Sequence, residues 1–308
     1  MVTGEHAVVY GHPAIVCAID QRIEISATPI DARRVEIQTT IAEPISISLD
    51  EIEIDGPYRF VLAVTARYAK RLQHGISLTI KSQIDSTLGL GSSAAVTAAT
   101  LAVLEYFIQQ GVPKDTLELH AELHKTGLAV IRELQGRGSG ADLAASLHGG
   151  MLAYQLPISR HDGTNEKESA TIQSLPTAPT PSLRYSGFKT PTAQVLALVS
   201  AARDKDKQRF DNLYQQMGSS AQAAIDAALN SNWVLFAEHL QDYQHLMKAI
   251  GVSNDILDQI IADALSESNP LAVKISGSGL GDCVLAIGSI PEGFTPMTIA
   301  TDGIRYNV

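Results

Sequence analysis

The chain reads as an α+β protein, on three observations. Strand-like and helix-like segments interleave without a regular βαβ rhythm. Three long helical patterns crowd the second half, at 207–229, 233–250 and 255–266. Short strand-like runs then return at the C-terminal end.

The first segment alternates strands and turns. Val8 to Tyr10, Ala14 to Ala18 and Arg22 to Thr28 have strand character, with Gly11-His12-Pro13 as a turn. Val35 to Ile41 and Ile45 to Leu49 extend that sheet, and Tyr58 to Leu72 has helical spacing. Apolar residues at 76, 78, 80 and 84 then mark a half-buried strand, followed by the glycine run Leu88 to Gly91 and an Ala-rich helical pattern from Ala94 to Ile108. A helix from about Lys114 to Leu134 starts near Pro113. The glycine-rich turn 135–142 leads into Leu143 to Leu147. Residues 157–182, rich in Pro, Ser, Thr and charge, read as a surface excursion that divides domains 1–165 and 180–308. The closing strands are expected at 273–276, 283–287, 298–300 and 304–308.

Composition narrows the function classes. The 308 residues, 45% of them hydrophobic, suffice for one large or two medium cores. The formal net charge is -10 with no dense Lys/Arg cluster, which argues against binding nucleic acid through a basic surface. No run approaches a membrane span and no signal-peptide pattern opens the chain, so a cytoplasmic protein is expected. A homodimer is compatible with this reading. Cys17 and Cys283 lie in apolar, strand-like contexts and read as small core residues.

The strand–glycine–helix unit carries the most chemistry. Glycines let backbone N–H groups approach an anion. A helix start offers unpaired donors and the positive end of the dipole. Together they form a phosphate cradle. No Lys follows the second glycine, so this is not a Walker A loop. The plainer alternative is an ordinary strand–helix turn. Ser92 and Ser93 tilt the balance, because they can cap the helix and still offer a hydroxyl to Mg²⁺ or phosphate. Ser92 is the expected cap.

Four motifs in order resemble those of the GHMP kinases, over nearly the whole chain. Gly4-Glu5-His6 through Ala14 resembles the first motif; Gly89-Leu90-Gly91-Ser92-Ser93-Ala94 resembles the ATP phosphate loop. Gly138-Ser139-Gly140-Ala141-Asp142 is similar to the segment bearing the family's catalytic Asp, and Lys274 through Gly281 to the last glycine-rich motif. The pattern is most similar to the mevalonate kinase branch. The resemblance implies a ribosomal S5-like N-terminal ATP-binding domain and a ferredoxin-like C-terminal domain. It also implies ATP and Mg²⁺ as cofactors, with phosphorylation of a small-molecule hydroxyl in isoprenoid biosynthesis. Asp142 would be the catalytic base, with a helix N-cap as the alternative. Gly89, Gly91, Ser92, Ser93 and Ala94 would hold the nucleotide, and Ser93 would reach Mg²⁺. Glu5, His6, Thr192, Gly277 and Gly279 would contact the acceptor. The plain alternatives are a polar strand end for Glu5 and His6, helix capping for Thr192, and an ordinary turn for the two glycines.

Departures from the pattern keep other readings open. The branch carries Ala-Pro-Gly-Lys just upstream of Gly-Glu-His, whereas this chain starts four residues before Glu5. The expectation is a start set too late or a truncation, with Lys189 or Arg137 as cations able to take that role. The Mg²⁺-ligating Glu should fall eleven residues before Asp142, where Ile131 stands, and Glu133 lies round the helix from it. Gln135-Gly-x-Gly-Ser-Gly-x-Asp142 and Gly281-Asp282-Cys283 are closer to phosphomevalonate kinases. A catalytically silent, ligand-binding family member is the alternative from another class. His120 and His124 have i,i+4 spacing, but nothing nearby in sequence supplies a third metal ligand. The stripe Trp233, Phe236, Leu240, Tyr243 and Leu246 reads as core.

Overall fold

The computed structural model describes residues 1–85, 89–136, 138–157 and 169–307. Leu88 of the phosphate-loop motif, Arg137 and the expected domain end at residue 165 lie outside the described residues.

Two compact units emerge: Met1–Asp20, Thr87–Gly89 and Gly149–Thr301 form one, and Gln21–Ser86, Leu90–His148 and Asp302–Val308 the other. The units interleave along the chain, unlike the division into 1–165 and 180–308. The reason is strand pairing. Strand β1 (Ala14–Cys17) pairs antiparallel with β6 (Met151–Gln155), which pairs antiparallel with β7 (Thr171–Leu175). That sheet draws the N-terminal segment into the unit of residues 149–301.

The unit containing residues 21–85 is built on a four-stranded sheet. Its strands are β2 (Ile23–Ile30), β3 (Arg34–Thr39), β4 (Ile45–Ser48) and β5 (Gly75–Ser82), in the order β2-β5-β3-β4. Strand alternation decides the faces: Val35, Ile37, Ile76 and Leu78 are buried while Arg34, Glu36, Ser77 and Thr79 are at least partly exposed. Helices α1 (Arg59–Tyr68), α2 (Ser92–Gln109), α3 (Leu117–Gln135) and α4 (Ala141–His148) complete the unit. Leu62, Val64, Leu101, Leu104, Leu123, Val130, Leu143 and Leu147 are buried on them. Thr116 caps α3 through a 3.1 Å bond from the Leu119 amide.

The other unit adds a second four-stranded sheet: β8 (Pro181–Tyr185), β9 (Ala272–Ser276), β10 (Cys283–Ile287) and the short β11 (Thr295–Pro296), ordered β11-β8-β10-β9. Its helices are α5 (Thr192–Lys205), α6 (Lys207–Leu229), α7 (Trp233–Ala249) and α8 (Asp255–Ser268). Asp206, Asn232 and Asn254 cap the last three with side-chain oxygens, as short polar residues do. Phe236, Leu240 and Tyr243 of the α7 stripe are fully buried, so the stripe is core.

Several elements differ from the sequence expectation. Val8 to Tyr10 is part of a 3₁₀ turn, Ala7–Tyr10, entered through His6 at φ 61° and closed by Gly11 at φ 84°. Strand β7 and the start of β8 fall within the described part of the expected surface excursion. Strand β7 is an edge strand with only Leu175 buried, so it carries almost no hydrophobic signal. Helix α5 buries only Val195 and Val199, too thin a stripe to read. The last expected strands reduce to a single bridge, Ile19 to Ile299, and the described residues after 300 form no strand. Neither cysteine forms a disulfide; burial pushes the Cys283 thiol up to about 11. Among the described residues, no helix is long and apolar enough to cross a membrane.

Candidate active site

The phosphate-loop helix and the candidate base meet within one unit. Gly91, at φ 81°, is the N-cap of α2, and Ser92 and Ser93 are its first two residues. Ser92 is therefore not the cap. A left-handed backbone at the cap needs glycine, and a glycine cap contributes no side-chain acceptor. The first-turn N–H donors of α2 are thus not claimed by a capping side chain, which suits an anion. Ala94 is fully buried and would contribute only backbone; Ser93 is half-buried.

A Cβ built on Gly91 would stand 3.7 Å from Asp142 Cβ. The carboxylate-bearing segment thus lies beside the helix start, close enough that a side chain at residue 91 would touch it. Asp142 is the second residue of α4; its Oδ1 accepts a 3.0 Å bond from the Leu143 amide, and its side chain is exposed. The protein mass around it nevertheless disfavours the charge. This raises the carboxyl above its usual range, against the pull of the Leu143 amide. His124, buried on α3, has Nε2 2.9 Å from the Gly140 carbonyl, two residues before Asp142. Burial lowers the His124 pKa, so at neutral pH the ring is uncharged and Nε2–H donates to that carbonyl. Sequence reasoning saw His124 only as half of an i,i+4 pair. Its partner His120 instead pairs with Asp115 at 2.8 Å and meets His148 at 3.2 Å. Among the described residues, no group of three or more His, Cys, Asp or Glu is placed to hold a metal ion. Ile131 is buried at the position expected for a Glu, and Glu133 is bound to Arg67 at 2.6 Å.

The other unit gathers the first and last motifs. Glu5 is buried, and its Oε1 lies 2.7 Å from Lys274 Nζ, itself buried in β9. Lys274 also donates to the Ile275 carbonyl, and its ammonium lies 5.7 Å from the centre of the Tyr243 ring. The Tyr243 hydroxyl donates to the Glu5 carbonyl at 2.6 Å. Burial drives the Lys274 ammonium down in pKa while Glu5 holds it up. One oxygen of Glu5 is therefore committed to a cation of the protein. Lys274 stood in the motif without a role; a lysine between Val273 and Ile275 in an apolar strand was the readable signal.

His6 Nε2 is 2.8 Å from the Ser278 carbonyl. Burial lowers the His6 pKa, more than Ser278 and Glu5 raise it, so the neutral ring donates to Ser278. His6, Leu280 and Asp282 are three of the seven described non-glycine residues at positive φ. Backbone strain of this kind gathers in the two motif loops. Gly277 leaves room, with its Cβ position 3.6 Å from Asp282 Oδ2. Gly279 does not: a Cβ there would stand 2.4 Å from the Val252 carbonyl, which explains that glycine by packing. The Thr190 hydroxyl donates to the Leu280 carbonyl at 2.6 Å, so this threonine tethers the last motif. Thr192 is exposed at the first turn of α5 and makes no cap, the N-cap being Pro191. Gly89, at φ 69°, faces Asp282 and Lys189.

Residues 58–150 match the profile described as GHMP kinases N terminal domain, and residues 224–292 that described as GHMP kinases C terminal. The chain is 30% identical to the mevalonate kinase of Thermococcus onnurineus, covering 98% of this chain and 94% of that one. The mevalonate kinase of Methanococcus jannaschii superposes with a TM-score of 0.71 at 22% identity, over 93% and 87% of the two chains. The Streptococcus pneumoniae phosphomevalonate kinase in complex with phosphomevalonate and AMPPNP does so at 0.73 and 16% identity, over 95% and 90%. The chain therefore belongs to the GHMP kinase family and is an ATP-dependent small-molecule kinase.

Proposed function

We propose that the protein transfers the γ-phosphoryl group of ATP to the hydroxyl of mevalonate. The observation that carries the reading is the closeness of Gly91, at the α2 N-terminus, to Asp142, whose Cβ lies 3.7 Å from where a Cβ on Gly91 would stand. A phosphate donor seated on that helix start has a carboxylate beside it. Phosphoryl transfer asks the protein mainly for positioning and charge stabilisation. The N–H groups of Ser92, Ser93 and Ala94 hold the phosphates. Asp142 accepts the proton of the attacking hydroxyl, and the protein mass around it raises its carboxyl above the usual range, which makes the carboxylate a stronger base. His6, fixed by Ser278, keeps Nδ1 for the acceptor, and Thr192 offers an exposed hydroxyl to it. Glu5 acts on the acceptor by holding the His6 turn through Lys274 and Tyr243.

The Ser93 hydroxyl at the start of α2 is a hard oxygen donor of the kind that suits Mg²⁺ supplemented by phosphate oxygens and water. Bound there, Mg²⁺ would neutralise phosphate charge.

A second reading, phosphomevalonate as acceptor, is favoured by Gly281-Asp282-Cys283. ADP release measured with each acceptor decides between them. Turnover with mevalonate alone supports the first reading, turnover with phosphomevalonate alone overturns it, and turnover with neither points to a silent ligand-binding member.

A further inference from the structure

Asp282 is an unusual residue for the wall of a phosphate site. Its side chain is 10% exposed, and Oδ1 is buried without a hydrogen-bond partner. It sits at φ 61°, so the fold accepts backbone strain to present it. Both Asp282 and Lys189 face Gly89: a Cβ there would be 3.1 Å from Asp282 Oδ1 and 3.5 Å from Lys189 Nζ. The gap that a side chain at residue 89 would fill is therefore lined by an ammonium and a carboxylate.

The two charges are 3.8 Å apart, an ion pair without a hydrogen bond. The Lys189 side chain remains 35% exposed. An ammonium held at that distance keeps its donors for another anion. A lone carboxylate beside phosphates would repel them, whereas paired with Lys189 it becomes the anchor of a cation. Thr190, next in sequence, fixes this strand–helix loop to Leu280 at 2.6 Å, and the Asp282 amide donates to the Phe188 carbonyl at 3.0 Å. The loop carrying Lys189 is thus pinned on both sides.

We propose that Lys189, held at Gly89 by Asp282, supplies the cation for the terminal phosphates of the bound nucleotide. The proposal rests on the reading of residues 88–95 as the phosphate loop. It assigns Asp282 a positioning role through Lys189.

The test is nucleotide affinity, measured by calorimetry with Mg-AMPPNP and with adenosine. The proteins are the wild type, Lys189→Met, Lys189→Arg and Asp282→Asn. Lys189→Met should weaken AMPPNP about tenfold or more, the scale of one lost charge-assisted contact. Adenosine affinity should not change, and Lys189→Arg should retain most of the AMPPNP affinity. Asp282→Asn should weaken AMPPNP less than Lys189→Met, and the double variant should add little to Lys189→Met alone. Melting without nucleotide checks the fold of each variant. If Asp282→Asn fails to fold, the lysine series still decides. Equal AMPPNP affinity in wild type and a folded Lys189→Met overturns the proposal; so does an equal loss of AMPPNP and adenosine affinity. A Lys189-dependent affinity in a protein that does not turn over mevalonate counts against that acceptor and leaves the assignment standing.

Discussion

Lys274 Nζ lies 2.7 Å from Glu5 Oε1, and both side chains are at least 98% shielded from water. Two residues far apart in sequence thereby lock the first motif onto strand β9. Glu5 adjoins His6, so this pair fixes the backbone of the first motif.

Removing one partner leaves the other charge buried alone, which typically costs about 3–5 kcal/mol. Lys274→Met should lose that much stability in urea denaturation. Lys274→Met with Glu5→Gln should recover part of it, because the orphaned carboxylate is gone. A single Lys274→Met as stable as the wild type would show that the pair holds nothing.

Asp142→Asn separates chemistry from capping. Asparagine keeps the oxygen that accepts the Leu143 amide but cannot take a proton. Turnover should fall by roughly 10²–10⁴-fold with little change in melting. If Asp142 is the base, its raised pKa should place the acid limb of kcat/KM in the wild type above the usual carboxylate range. Near-normal turnover in a stably folded variant would remove Asp142 from the mechanism.

His148 gives the fold a pH dependence. Burial, with His120 and His124 adding to it, pushes its pKa down to about 4 from 6.5. The unfolded chain therefore binds more protons than the folded chain between those two values. Stability should be full above pH 6.5 and fall as pH drops toward 4, by at most about 3 kcal/mol from this group. His148→Gln should flatten that slope in denaturation curves at pH 4.5, 5.5 and 7. An unchanged slope would assign the acid sensitivity to other groups.

What was legible in the sequence follows from which signals are local. Strand β5, helix α2 and the glycine turn between them are written in apolar spacing and glycines, all within 40 residues. The long helices α6 to α8 announce themselves by wide apolar faces. Edge strand β7 and helix α5 bury too little to register. The partners of the site residues were hidden for another reason: Lys274 and Glu5 are 269 residues apart, and no local pattern records such a pairing. The same holds for Asp282 and Gly89, which the sequence separates into different motifs. Glycine identity was also ambiguous, since Gly279 is required by the Val252 carbonyl and Gly91 by its own backbone angle.

Gly91→Val tests the phosphate loop itself. A β-branched residue at φ 81° costs about 1–2 kcal/mol of backbone strain, so the variant should be less stable without ligand. Strain alone says nothing about nucleotide, and a control is needed. Gly56 is also left-handed, at φ 70°, with nothing within 4 Å of its Cβ position. Gly56→Val should suffer a similar penalty at a turn with no part in the phosphate loop. In the wild type and in Gly56→Val, Mg-ATP at about 100 times its Kd should add about 2.7 kcal/mol of stability. In Gly91→Val the new side chain projects toward Asp142, into the space between the helix start and the carboxylate, and the gain should disappear. Equal stabilisation of all three proteins by Mg-ATP would place the nucleotide elsewhere and take the α2 N-terminus out of the site.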